Sequence, residues 1–252
     1  MGKRANRKKF DTQGENDSIV RDIGTRKKFT PHDLVSIQPK TYNQKRFIES
    51  FFNNVPILAG IGCPGVGKSF LSLYCALSDV LDESTPHDRI VLIRSSVQGR
   101  NIGFLPGTIE EKDEVYEMPY HSIVRELMPS FQDGYDHLKA LGYLEFHNTS
   151  FLRSATFDRS IIIVSEAQNL DYAELSTCIT RAGIHSKVII EGDSSNLQND
   201  LSRQREKSGL DRFVRVLENM DSNLYDTVRF DHNDIVRSPL VKAFIIADMN
   251  TP

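Results

Sequence analysis

Two rhythms of apolar residues alternate along the chain. Short unbroken runs at 56–61, 89–94, 161–164, 187–190 and 226–230 have the length and the Val/Ile content of strands buried on both faces. Elsewhere apolar residues return every three or four positions, the period of a helix with one face on a core. Leu175, Cys178, Ile179 and Ala182 form such a stripe, and Asp171 with Glu174 three residues on supplies a capping box at its start. A second helix is predicted over 122–131, where Ile123, Val124, Leu127, Met128 and Phe131 share one side, and a last one over 238–248. Buried strands separated by helices predict an α/β fold, a parallel sheet of about five strands flanked by helices. Residues 1–36 carry neither rhythm and read as a flexible arm, with a single domain over 37–252.

Composition then narrows the class. With 39% apolar and 26% charged residues among 252, the make-up is that of a soluble globular protein, and no run approaches the ~18 apolar residues that span a bilayer. The basic start is followed by no apolar stretch, so it does not read as a secretory signal. Cys63, Cys75 and Cys178 cannot all pair and lack metal-ligand spacing, which points to reduced thiols and a cytoplasmic location. The net charge of −3 hides an asymmetry: residues 1–28 hold nine Lys/Arg and four Asp/Glu, a balance of +5 that leaves −8 for the remainder. Such an arm is read as solvated, with contact to nucleic acid as the alternative.

The chemistry concentrates at three strand ends. Gly62-Cys63-Pro64-Gly65-Val66-Gly67-Lys68-Ser69 fits G-x-x-x-x-G-K-[ST], and it stands between an apolar run and a helical stretch, where that pattern does its work. The glycines let backbone N–H groups turn toward phosphate oxygens, Lys68 reaches the β and γ phosphates, and Ser69 can ligate Mg²⁺. The run at 161–164 leads into Ser165, Glu166, Ala167 and Gln168. Glu166 is the candidate base for an attacking water, and Gln168 a candidate sensor of the γ-phosphate. A third run ends in Ile190-Glu191-Gly192-Asp193, which brings Asp193 to the same edge, with Gln198 nearby. Asp193 is a candidate for positioning water or metal, although Asp after Gly is also ordinary turn chemistry.

In this order the blocks resemble the PhoH family of ATP-binding proteins, whose core is similar to the first RecA-like domain of superfamily 1 helicases. The resemblance covers 37–248 and rests on the stretch from Pro39 to Arg46, the phosphate loop, Gly103-Phe104-Leu105-Pro106-Gly107 and Glu166-Ala167-Gln168-Asn169. It continues through Thr180-Arg181, Gly192-Asp193, Ser208-Gly209-Leu210 and 234–241. It implies a RecA-like ATPase that uses Mg²⁺ and acts on RNA or other nucleic acid as a homo-oligomer, a hexameric ring among the options. It also implies that Gln44 reads the adenine edge and that Arg237 contacts the γ-phosphate of its own or a neighbouring subunit. The family has an Asp directly before the Glu, where this chain has Ser165, and Ala155 stands where the family has a second Arg after Arg153. A carboxylate is therefore missing from the place that serves the metal. That departure raises a second reading, an ATP-binding switch with weak hydrolysis. A third, a small-molecule kinase, lacks an Arg-rich lid, since Arg100, Arg125 and Arg153 are scattered.

Overall fold

The computed structural model describes residues 28–95, 109–149, 152, 155–193 and 208–251, at 109–113 by the backbone alone. Most of the N-terminal arm, the block 103–107, Arg100, Arg153 and Gln198 lie outside the described residues. The chain divides into Met1–Thr30 and Pro31–Pro252, and every described helix and strand belongs to the second unit.

The strands are β1 (Ile57–Gly62), β2 (Arg89–Arg94), β3 (Leu144–Asn148), β4 (Ser160–Ser165), β5 (Lys187–Gly192) and β6 (Tyr225–Phe230). They form one sheet in the order β3-β2-β4-β5-β1-β6, and every neighbouring pair is parallel. This is the α/β class, a parallel sheet flanked by helices, that the sequence predicts. Among the described residues the sheet has six strands, against the about five expected. β3 escaped because it pairs only with β2, at the sheet's edge, and reads Leu-Glu-Phe-His-Asn with only its first and last residues buried. Its Glu145 meets Arg89 of β2 at 2.9 Å.

The helices are α1 (Tyr42–Phe52), α2 (Lys68–Val80), α3 (Ile109–Leu127), α4 (Gly134–Ala140), α5 (Tyr172–Thr180), α6 (Leu210–Leu217) and α7 (Pro239–Met249). The capping box of α5 forms as predicted: Glu174 N donates to Asp171 Oδ1 at 2.8 Å, and Asp171 N donates to Glu174 Oε2 at 3.0 Å. Leu175 and Cys178 join a core with Val91, Ile162, Val164 and Ile190, and Ile179 and Ala182 pack against it. The helix predicted over 122–131 begins thirteen residues earlier, at Ile109, and ends at Leu127. Its first half is polar and Pro119 follows just past the middle, so the 3.6-residue stripe shows only in its last turns. Ser238 caps α7, with Pro239 at the first helical position.

Because β5 lies between β1 and β4, the carboxyl ends of three adjacent strands face one space. Open parallel sheets bind ligands at that edge.

Candidate functional site

β1 ends at Gly62, and the chain turns through 63–67 into α2. Gly62 has φ +145°, and a Cβ there would stand 2.0 Å from the carbonyl oxygen of Phe230, so only glycine fits. At Gly65 (φ +77°) a Cβ would come within 2.9 Å of Arg237 Cγ. Val236 N donates to Gly65 O at 3.1 Å, which ties the segment carrying Arg237 to the loop. The first turn of α2 then presents backbone N–H groups with no partner inside the helix, together with the positive end of its dipole.

Lys68 opens α2 and folds back over the loop. Its Nζ donates to Gly62 O at 2.9 Å and to Cys63 O at 2.8 Å. Burial pushes its pKa down, against the opposing pull of the Asp193, Glu191 and Glu166 carboxylates. Gln44 supports the loop from α1: its Nε2 donates to Val66 O at 2.9 Å, while its Oε1 accepts from Lys40 N at 2.7 Å.

At the end of β4, Glu166 stands at φ 54° and ψ 43°, left-handed backbone that non-glycine residues seldom adopt. Asn169 N donates to its carbonyl at 2.8 Å, closing the turn. Gln168 Nε2 donates to Glu166 Oε2 at 2.5 Å, and Gln168 Oε1 accepts from Asp193 N at 2.9 Å. A single buried amide thus links the ends of β4 and β5.

Gln44, Pro64, Gly65, Gly67, Lys68, Ser69, Glu166, Gln168, Asp193 and Arg237 all line one cavity of about 840 Å³. Gly62, Cys63 and Val66 are not among its lining residues. Cys63 and Val66 are buried beneath the loop, and the Cys63 thiol, its pKa raised by burial, lies 3.6 Å from Met249 Sδ. All three cysteines are buried and free.

Glu191 also lines the cavity, a residue to which sequence reasoning assigns no role. It sits in β5 at 2% exposure, and Ser69 Oγ donates to its Oε2 at 2.6 Å. Ser165 Oγ donates to the same oxygen at 3.1 Å. Its other oxygen, Oε1, is buried without a hydrogen-bond partner, and Ser72, although near enough to influence the carboxyl, forms no well-shaped bond. Burial raises the pKa of the Glu191 carboxyl, while the serine hydroxyls oppose the shift. The signal was a Glu continuing an unbroken apolar run, a place where unpaired carboxylates are rarely found.

Hydroxyl and carboxylate oxygens of this kind suit a hard divalent cation. Among the described residues no group of three His, Cys, Asp or Glu side chains is close enough to cage a metal by itself. A cation here would share its coordination with a ligand and water.

The model of the family described as PhoH-like protein matches residues 36–248. A PhoH-like protein of Mycobacterium leprae (strain TN) is 32% identical, over 84% of this chain and 58% of its own length. One from Bacillus subtilis (strain 168) is 32% identical over 84% and 64%. Protein PhoH of Escherichia coli (strain K12) is 33% identical over 73% and 50%. The chain therefore spans between half and two thirds of these relatives. A solved Sulfolobus solfataricus SWI2/SNF2 ATPase core in complex with dsDNA superimposes with TM-score 0.42 at 11% identity, covering 83% of this chain and 49% of that one.

Proposed function

This chain belongs to the PhoH family, and on that premise we propose that it binds ATP with Mg²⁺ at the phosphate loop and hydrolyses it. The observation that carries this reading is the convergence of Lys68, Ser69, Glu166, Gln168, Asp193 and Arg237 on one cavity at the carboxyl edge of a parallel sheet.

In this reading the loop amides and the first turn of α2 cradle the β and γ phosphates. Lys68 exchanges two neutral carbonyl partners, Gly62 O and Cys63 O, for phosphate oxygens, a stronger charge-assisted bond. Ser69 Oγ would hold the metal, and Mg²⁺, when bound, would neutralise charge on the phosphates. Glu166 accepts the proton of the attacking water, and its backbone turn aims the carboxylate at the cavity. Gln168 sets the position of that carboxylate through its amide and couples it to Asp193. Arg237 neutralises charge spreading over the transferred phosphoryl oxygens. Gln44 reads the adenine edge after releasing Lys40 N, while its other end stays on the loop.

The wider reading is action on RNA or another nucleic acid as a homo-oligomer. The +5 charge of residues 1–28 suits a polyanion, and the exposed Leu240 and Phe244 of α7, close in sequence to Arg237, suit a neighbouring copy.

The test is phosphate release by the purified chain with and without single-stranded RNA and DNA, beside a Lys68→Ala control. Turnover that depends on Lys68 and rises with one polymer is expected. No nucleotide uptake by calorimetry, with magnesium present, would sink the reading.

A further inference from the structure

We propose that Glu191 is the carboxylate that works with Ser69 to hold the nucleotide's divalent cation, supplying from β5 the charge that Ser165 does not supply from β4. The proposal rests on the Mg-nucleotide reading above.

In phosphate-loop NTPases the cation is held by the Ser or Thr that follows the loop lysine and by an acidic side chain from a neighbouring strand. A serine at the end of β4 brings a hydroxyl to that place but no negative charge. The structure finds a carboxylate one strand away. β5 lies between β1 and β4, Glu191 pairs in register with Gly60 of β1, and Ile190 pairs with Val164 of β4. One residue further along that register Glu191 stands beside Ser165, and on its other side it is opposite the strand that launches the phosphate loop.

The contacts match the role. Ser69 Oγ, the expected metal ligand, bonds Glu191 Oε2 at 2.6 Å, so the carboxylate already touches the group it would share the cation with. Ser165 Oγ reaches the same oxygen at 3.1 Å and fixes the rotation of the carboxylate. Ser69 Oγ keeps its lone pairs for the cation while its hydrogen rests on Oε2, so Oε2 is the oxygen placed next to the metal's ligand shell. The hydroxyl of Ser165 thus acts on the metal through Glu191, as a positioning group. A competing role for Glu191, a neutral acid bridging two serines, makes a different prediction, because a glutamine could form the same bridges.

The experiment measures binding of a non-hydrolysable ATP analogue to the full chain by calorimetry, with magnesium and with chelator. Magnesium should strengthen binding to the natural protein. In Glu191→Gln that strengthening should shrink by about 10- to 100-fold, while affinity in chelator does not fall. A double variant, Ser165→Asp with Glu191→Thr, returns the carboxylate to β4 and should recover the magnesium effect; it also carries the test if Glu191→Gln fails to fold. A full magnesium effect in Glu191→Gln, or none in the double variant, overturns the assignment of Glu191 alone. If the natural chain binds no analogue in either condition, the nucleotide reading falls and the assignment falls with it.

Discussion

Helix α2 and strand β5 meet at both ends, and each meeting buries a carboxylate under opposite terms. At the end away from the cavity, Asp79 of α2 receives His87 Nδ1 at 2.7 Å and stands 3.9 Å from Lys187 Nζ, at the start of β5. Lys187 also donates to Phe51 O at 3.1 Å and lies 4.4 Å from the centre of the Phe51 ring. At the cavity end, Glu191 of β5 meets the hydroxyls of Ser69 and Ser165 instead of an ion-pair partner. The nearby ammonium of Lys68 feels its charge but is bonded to loop carbonyls. The same two elements therefore close one carboxylate with the protein's own cations and leave the other for a cation from outside. Buried charge at the closed end serves the fold, whereas at the open end it costs stability and equips the site.

Asp79→Ala should break this contrast most severely, because it strands Lys187 in the core. A loss of about 3–5 kcal/mol in denaturant unfolding is expected, with the magnesium dependence of nucleotide binding unchanged. Replacing Asp79 and Lys187 together, as Asp79→Leu with Lys187→Met, should recover the part of that loss due to the stranded ammonium, while His87 Nδ1 stays without its 2.7 Å partner. Failure to recover would mean that the pair does more than neutralise itself.

Lys68→Ala acts at the open end. Turnover should fall about 10²- to 10³-fold, because one preorganised charge is removed from the phosphoryl group, while the unfolding midpoint moves little. A retained rate would remove Lys68 from the reaction.

Glu191→Gln should do the reverse of Asp79→Ala. Without metal or nucleotide it relieves a buried charge and should stabilise the chain by about 1 kcal/mol. A loss of stability comparable to that of Asp79→Ala would show that both ends serve the fold.

The smallest effect is on pH dependence. Burial raises the pKa of Asp79, but hydrogen bonding and charge from His87 outweigh it and hold the carboxyl below its ordinary value. A group depressed in the folded state adds stability above its unfolded pKa, about 4, and that contribution is lost as pH falls through the folded value. The gap between the natural chain and Asp79→Ala, followed by thermal melts, should therefore narrow as pH falls below about 4.

The phosphate loop was legible because its requirements are local: glycines where backbone must turn and pack, then Lys68 and Ser69 at a helix start. β1, β2, β4, β5 and β6 were legible from their apolar runs, and α5 from Asp171 and Glu174. β3 and the first half of α3 were not, because an edge strand and a polar helix bury too few side chains to leave a period in the sequence. Glu191 stood in plain view within its strand, yet its partners are far off in the chain, 122 residues away at Ser69 and 26 away at Ser165.

The order of residues thus determined the fold class, the loop and the set of polar groups at three strand ends, since each follows from neighbours along the chain. Tertiary structure alone decided which carboxylate faces Ser69. That choice depends on β5 lying between β1 and β4, and strand order is set by how helices pack across the sheet, not by any local run of residues.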